Sequence, residues 1–216
     1  MHKDKTVKIR AVKPEIRVLG IDDGFFTPHT KGVVDVIGVV FRGGYWLDGV
    51  MRTQVDIDGM DATEKIASMI VGSPHYDQLR VVMLSGVTMA GFNVVDLEEL
   101  FARLKVPVIA VARDKPNFGD IKKALQNLPQ SDKRWKTIEK AGKMIEVHTR
   151  RGGDPVYAHV VGVSVEDAKR ILKSTSTRSN IPEALRVAHL VASGLRQSGQ
   201  KKRINSETSQ SESELK

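Results

Sequence analysis

The sequence predicts an α/β protein in which helices cover the faces of a mixed sheet. Three observations carry that reading. A short apolar strand, 15–23, is followed by a Val- and Ile-rich stretch, 33–58, broken by Gly43–Gly44 as a hairpin would be. Two continuous apolar runs, "LRVVMLSG" at 79–86 and "VPVIAVAR" at 106–113, have the pattern of parallel strands buried on both sides. Segments of helical periodicity separate and follow those runs, the arrangement that packs helices onto a sheet.

In order, "EIRVLGIDD" at 15–23 is the first strand and pairs with the 33–58 hairpin as an antiparallel meander. "GMDATEKIASMIVGS" is a helix with Asp61 as cap and Glu64 three residues on, a capping-box pattern, and Ile66, Met69 and Ile70 on its apolar face. The strand at 79–86 follows. "VVDLEELFARLK" at 94–105 is a helix that turns Val94, Leu97, Leu100, Phe101 and Leu104 inward. After the strand at 106–113 come helices near 118–128 and 131–142, then strands in "GKMIEVHTR" and "PVYAHVVGV". "SVEDAKRILKSTS" is a helix capped by Ser164, with Glu166 and Asp167 in its first turn, where they complement the helix dipole. "NIPEALRVAHLVASGLRQ" is the last helix, with Pro182 near its first position.

This organisation is one domain over 15–196. A basic, weakly patterned arm at 1–14 precedes it, and a polar low-complexity tail at 197–216, expected to be disordered, follows. The 216 residues suffice for a substantial core. No apolar run reaches the roughly 20 residues of a membrane helix, and the basic N-terminus lacks an apolar signal segment, so a cytoplasmic protein is expected. The absence of cysteine excludes disulfides, thiolate nucleophiles and Cys-ligated metals. A net charge of +8 favours polyanionic partners, nucleic acid first, while 5% aromatic content makes an extended base-stacking platform thin.

The chemistry gathers at strand ends. The first strand closes on Asp22–Asp23, and "VDID" at 55–58 puts Asp56 and Asp58 on one face of a strand that ends before Gly59. Brought together, Asp22, Asp23 and Asp58 suit Mg²⁺ or Mn²⁺, hard ions that take oxygen ligands and serve phosphodiester cleavage. Asp-Asp-Gly and Asp-Gly are equally turn sequences, and the pattern alone leaves both readings open. "LSGVTMAGFNVVD" at 84–96 follows a buried strand, where ligands collect in open sheets, yet it has neither a phosphate-loop nor a dinucleotide-loop spacing. Ser85 lacks the flanking glycines of a hydrolase nucleophile elbow. Arg113, Lys115 and Asn117 follow the next strand, as phosphate contacts or as an ordinary polar loop. His189 lies on a largely apolar helix, where a half-buried structural role is the plain alternative to a catalytic one; His29, His75, His148 and His159 show no metal-ligand spacing.

"GIDDGFF", "VDIDGMDAT", "SPHYDQLRVVMLSGVTMAGFNVVD", "PVIAVARDKPNF" and "IPEALRVAHLVASG" together resemble the archaeal endonuclease-dU-like (UPF0215) family, over roughly 15–195. A more distant likeness to endonuclease V runs in the same order. "LGIDDG" is similar to its "GVDVS", "VVMLSG" to "LLVDG", "PVIAVARDK" to "PTIGVAKK", and "IPEALRVAHLVA" to "LPEPLRLAH". "VDIDG" falls where endonuclease V has a strand-end Glu. The resemblance implies a ribonuclease-H-like mixed sheet with helices on both faces and a Mg²⁺- or Mn²⁺-dependent endonuclease acting on DNA near deaminated bases. It implies Asp22 as the central metal ligand, Asp58 in place of the Glu, His189 as the late histidine, and Lys115 or Arg113 in the basic role. It also departs from endonuclease V. The third acid is Ser85 here, which leaves Asp23 or Asp96 to compensate, and the "PYIPG" segment that wedges into DNA is absent. Two other readings stay open: a nucleic-acid-binding protein with a nuclease-like fold and no nuclease chemistry, and a nuclease directed at RNA.

Overall fold

A computed structural model of the chain describes residues 6, 7, 9, 11–28 and 30–195; the expected polar tail and His29 lie outside them. β1 (Arg17–Asp23), β2 (Val33–Arg42) and β3 (Trp46–Asp56) form the anticipated antiparallel meander. α1 (Ala62–Val71) leads to β4 (Val81–Ser85), which pairs parallel to β1. β5 (Thr88–Met89) and β6 (Asn93–Val94) make a small separate ribbon before α2 (Leu97–Leu104). β7 (Val108–Ala112) lies parallel to β4. α3 (Phe118–Leu125), α4 (Ser131–Lys140), β8 (Ile145–Val147), β9 (Val156–Val161), α5 (Val165–Thr175) and α6 (183–195) complete the fold. The main sheet has seven strands in the order β3-β2-β1-β4-β7-β9-β8. Among the described residues no helix is long and apolar enough to cross a membrane.

Strand alternation sorts the side chains into two cores. Leu19 and Ile21 of β1, with Val82 and Leu84 of β4, face α1 and α2. Val18, Met83, Ile109 and Val111 face α5 and α6. The two layers form because β1, β4 and β7 are apolar on both sides, as buried parallel strands must be. The basic N-terminal arm is not detached where it is described. The Val7 amide donates to the Gly162 carbonyl at 2.7 Å, and Ile9 and Val12 pack against the second core.

Gly20 sets the position of α6. It points toward that helix, and a Cβ there would lie 2.5 Å from both the Ala184 carbonyl oxygen and the Leu185 amide nitrogen. Backbone therefore rests directly on backbone, and α6 runs past the end of β1.

Several local expectations are corrected. Asp61 does cap α1 by position, but its side chain makes no cap hydrogen bond. Its carboxylate accepts instead from the Asp56 amide and from Asn93 Nδ2, while Asn93 Oδ1 accepts from the Ala62 amide at 3.0 Å. The free helix N-terminus is thus satisfied by a residue 31 positions away, which local spacing cannot reveal. Val94 is buried, as expected, but on β6 rather than on a helix. Ser164 caps α5 as its sequence implies, accepting from the Asp167 amide.

Candidate active site at the carboxyl end of the central strands

Asp22, next to last in β1, lies on the face that α6 covers. Register places Ser85 of β4 next to it on the same face, because Ile21 pairs with Leu84 and the following residues lie side by side. Arg113 follows β7 with the same parity as Val111, the partner of Ser85. α6 supplies His189, whose Nδ1 lies 2.8 Å from Asp22 Oδ2. These residues line an open cleft of about 950 Å³ at the carboxyl ends of β1, β4 and β7, where open α/β sheets place their ligands.

The electrostatics are uneven. Asp22 is buried, and burial pushes its carboxyl pKa upward; the His189 hydrogen bond and charge, the Asp23 amide and the Ser85 hydroxyl oppose that shift. Asp23 is pushed up to about 6, first by burial and further by the charge of Asp22, against the hydrogen bond from the Ala90 amide. That bond is 2.8 Å long and fixes Asp23 Oδ2 to the loop after β4. Asp22 and Asp23 thus leave the strand on opposite faces, one toward α6 and one toward the loop, yet both line the same cleft at the strand's end. His189 is not a buried structural residue: its side chain is 54% exposed at the cleft. With the proton on Nδ1 donated to Asp22, its Nε2 is the nitrogen that Asp22 leaves unengaged.

Asp58 does not join Asp22. β3 is not a neighbour of β1, since β2 lies between them. β3 also ends at Asp56, so the alternation that was to aim Asp58 has stopped. Asp58 turns into the left-handed region, φ 50°, and its Oδ1 accepts from the Phe92 amide at 2.8 Å. Asp96 is elsewhere again. It caps α2 by accepting from the Glu99 amide, and its other oxygen takes Lys140 at 2.7 Å. Asn117 caps α3, accepting from the Gly119 and Asp120 amides, so its side chain is committed to the helix. Lys115 is exposed two residues beyond Arg113, and only Arg113 lines the cleft. Sequence reasoning missed Ser193, one helical turn past His189, which also lines the cleft. It missed Arg134 as well, although a lone Arg within an otherwise ordinary helix offers no signal. Buried on α4, Arg134 donates to the carbonyls of Pro129, Gly59, Phe92 and Asp58 and so holds the loops behind the cleft.

Among the described residues, no group of three or more His, Asp or Glu side chains is gathered as a ready metal site. A hard cation such as Mg²⁺ commonly takes one or two carboxylates and fills the rest with water and substrate phosphate. Asp22 and Asp23 fit that smaller demand, with the Ser85 hydroxyl alongside. The two raised carboxyls mark a place where positive charge would be welcome.

The profile of the Endonuclease dU family matches residues 14–196. A UPF0215 protein of Methanosarcina acetivorans is 50% identical over 184 residues, 85% of this chain and 92% of that one. The crystal structure of a protein of unknown function from Archaeoglobus fulgidus superposes with TM-score 0.74 at 37% identity, covering 83% of this chain and 98% of that one. Endonuclease V of Ciona intestinalis, solved with an inosine-containing 24mer DNA, superposes with TM-score 0.55 at 13% identity, covering 86% of this chain and 87% of that one. The last likeness is one of fold, and the fold is ribonuclease-H-like.

Proposed function

This chain belongs to the Endonuclease dU family, and on that premise we propose that it is a metal-dependent endonuclease that cleaves DNA at or near deaminated bases, uracil among them, in DNA repair. The observation that carries the proposal is the Asp22–His189 pair, held at 2.8 Å beside Ser85 in an open cleft of a basic protein. The inosine-containing DNA bound by the Ciona endonuclease V supports a deaminated substrate. The charge of +8 supports a polyanionic one.

Asp22 and Asp23 would hold the cation. Bound there, Mg²⁺ or Mn²⁺ supplies an activated water and charge stabilisation at the scissile phosphate. The chain's own residues do the rest. Asp22 orients the imidazole of His189 through Nδ1, which leaves Nε2 to exchange a proton with water or with the leaving 3′-oxygen. Arg113 meets a phosphate oxygen at the cleft wall. Burial of Asp22 keeps its oxygens from competing water, which strengthens each contact made there.

The test is incubation of the full chain with duplexes carrying uracil, hypoxanthine or no lesion, in Mg²⁺, Mn²⁺ or EDTA. Lesion-dependent nicking that needs metal and vanishes in Asp22→Asn is expected. A second reading, a nucleic-acid-binding protein without nuclease chemistry, is favoured by Ser85 in place of an acid. Salt-sensitive binding without nicking under every condition would select it. Faster nicking of an RNA substrate than of DNA would redirect the assignment to RNA.

A further inference from the structure

We propose that the outer face of α4, centred on Lys133 and Lys136, is a second nucleic-acid contact, which holds the phosphate backbone of the duplex flanking the cleft. The inference deepens the nuclease reading and rests on it for the nature of the ligand. The cleft itself is short of positive charge. Asp22 and Asp23 both line it, and Arg113 is the one permanent cation among the described residues that do. Such a site can place one phosphate, but two carboxylates beside one arginine do not draw in a polyanion. The affinity has to come from positive charge outside the cleft.

That charge is concentrated in one stretch. Residues 113–143 carry nine Lys and Arg against four Asp and Glu, a net +5 of the chain's +8. α4 gathers part of it on one face. Lys133, Lys136, Thr137 and Lys140 share helical spacing and, with Asp132, line an open groove of about 390 Å³. Lys140 is already engaged, since Asp96 and Glu98 pair with it. Lys133 and Lys136 are exposed, and among the described residues no carboxylate forms an ion pair with either. Like charges three residues apart on a helix repel each other. A phosphate backbone laid along the groove would relieve that repulsion.

The face is held firmly and at the right end of the molecule. Lys133 precedes Arg134, whose guanidinium donates to the Asp58 and Gly59 carbonyls just beyond β3. β3 runs in the same direction as β1, because each is antiparallel to β2, so those carbonyls lie at the same end of the sheet as Asp22. Trp135 meets Phe118 edge to face at 6.5 Å and fixes α4 against α3. α3 in turn starts five residues after Arg113. The lysines thus stand on a platform that continues from the cleft wall. β3 and β1 are two strands apart, roughly 10 Å. At about 3.4 Å per base pair, the stripe meets phosphates a few base pairs or more from the scissile one. Lysines are point charges on flexible stems, so this contact adds affinity without choosing the lesion.

The experiment measures binding of the full-length protein to a uracil-containing duplex in EDTA, over a range of salt, so that binding is read without turnover. Lys133→Gln/Lys136→Gln is compared with Lys13→Gln/Lys105→Gln, the same change of charge at the opposite end of the sheet, ahead of β1 and β7. The α4 pair is expected to bind on the order of 10- to 100-fold more weakly at about 0.1 M salt, with a salt slope lower by about two ions. The control pair is expected to bind like the parent. Because the chain has no cysteine, Lys136→Cys carries a single thiol, which is expected to form a disulfide with a thiol tethered to the DNA backbone on one flank of the uracil. An α4 pair with the parent's Tm, affinity and slope would overturn the proposal and leave the stripe to an acidic protein. An equal loss in the control pair would overturn it too, since net charge alone would then set the affinity, as would no disulfide at any tether position. The nuclease reading fails separately: a slope lost with the α4 pair, but no nicking in Mg²⁺ or Mn²⁺, removes the catalysis and keeps the contact.

Discussion

Gly20→Ala tests whether the contact of α6 on β1 sets the chemistry. The added Cβ would stand 2.5 Å from the Ala184 carbonyl oxygen and the Leu185 amide nitrogen, where ordinary contact begins at 3.4 Å. Both obstacles are backbone, so no rotamer change relieves them, and helix and strand must part by roughly 1 Å. His189 rides on that helix five residues beyond Ala184, and its bond to Asp22 is 2.8 Å. A shift of that size carries the pair to the edge of hydrogen-bond range. Overpacking costs about 1–3 kcal/mol of stability. A misplacement of about 1 Å at a reacting group costs on the order of 100-fold in rate. The assay pairs thermal denaturation with single-turnover nicking of a uracil-containing duplex in Mg²⁺. A modest fall in Tm with a fall of about 100-fold in the cleavage rate is expected. A folded Gly20→Ala protein that nicks at the parent's rate would show that the Asp22–His189 geometry does not control the reaction. Gly38→Ala is the control, since its added Cβ meets side chains rather than backbone, Met51 at 2.6 Å and Leu19 at 3.2 Å, and these can shift.

Three further outcomes follow from the same structure. Asp23, with its carboxyl raised to about 6 from 3.8, favours folding in its protonated form; that contribution is full below 3.8 and is lost as pH rises through 6. In EDTA, Asp23→Asn is therefore expected to be more stable than the parent at about pH 7.5 and no more stable near pH 3.5 by urea unfolding, and an equal gain at both pH values would contradict the shift. Arg134→Met leaves four backbone carbonyls without their donor, and a loss of about 3 kcal/mol, on the order of 10 °C in Tm, is expected by calorimetry; an unchanged Tm would deny the clamp. Arg113→Ala is expected to weaken DNA binding and lower the salt slope by about one ion, whereas Lys115→Ala leaves both nearly unchanged, and the reverse ranking would place the phosphate contact at Lys115.

The strands and helices were largely legible because their signals are local. Alternation and turn residues mark β1 to β3, and continuous apolar runs mark β4 and β7. Ser164 announces the start of α5 in the same way. The site was legible only in part. Asp22 stands out as an acid at the end of a buried strand, and the family resemblance lifted His189 above the many histidines of apolar helices. Asp58 misled because its aim was inferred from strand alternation, which holds only while the strand continues, and its partner strand was assumed to adjoin β1. Asp96 and Asn117 misled for another reason. Acids and amides at the start of helices serve the helix first, and the same residue types make good ligands. Asn93 and Arg134 were invisible because their partners are long-range backbone groups that no spacing encodes.

The Asp22–His189 contact joins residues 167 positions apart, almost the full span of the folded domain. A chain made from its amino terminus presents the buried acid early and the histidine last. A chain that lacks the last helix thus carries only the acid of the pair, and on the proposed mechanism cutting power arrives only when that helix settles on Gly20. For a nuclease, that order of assembly is a safeguard: fragments and interrupted products hold the fold's strands without its edge.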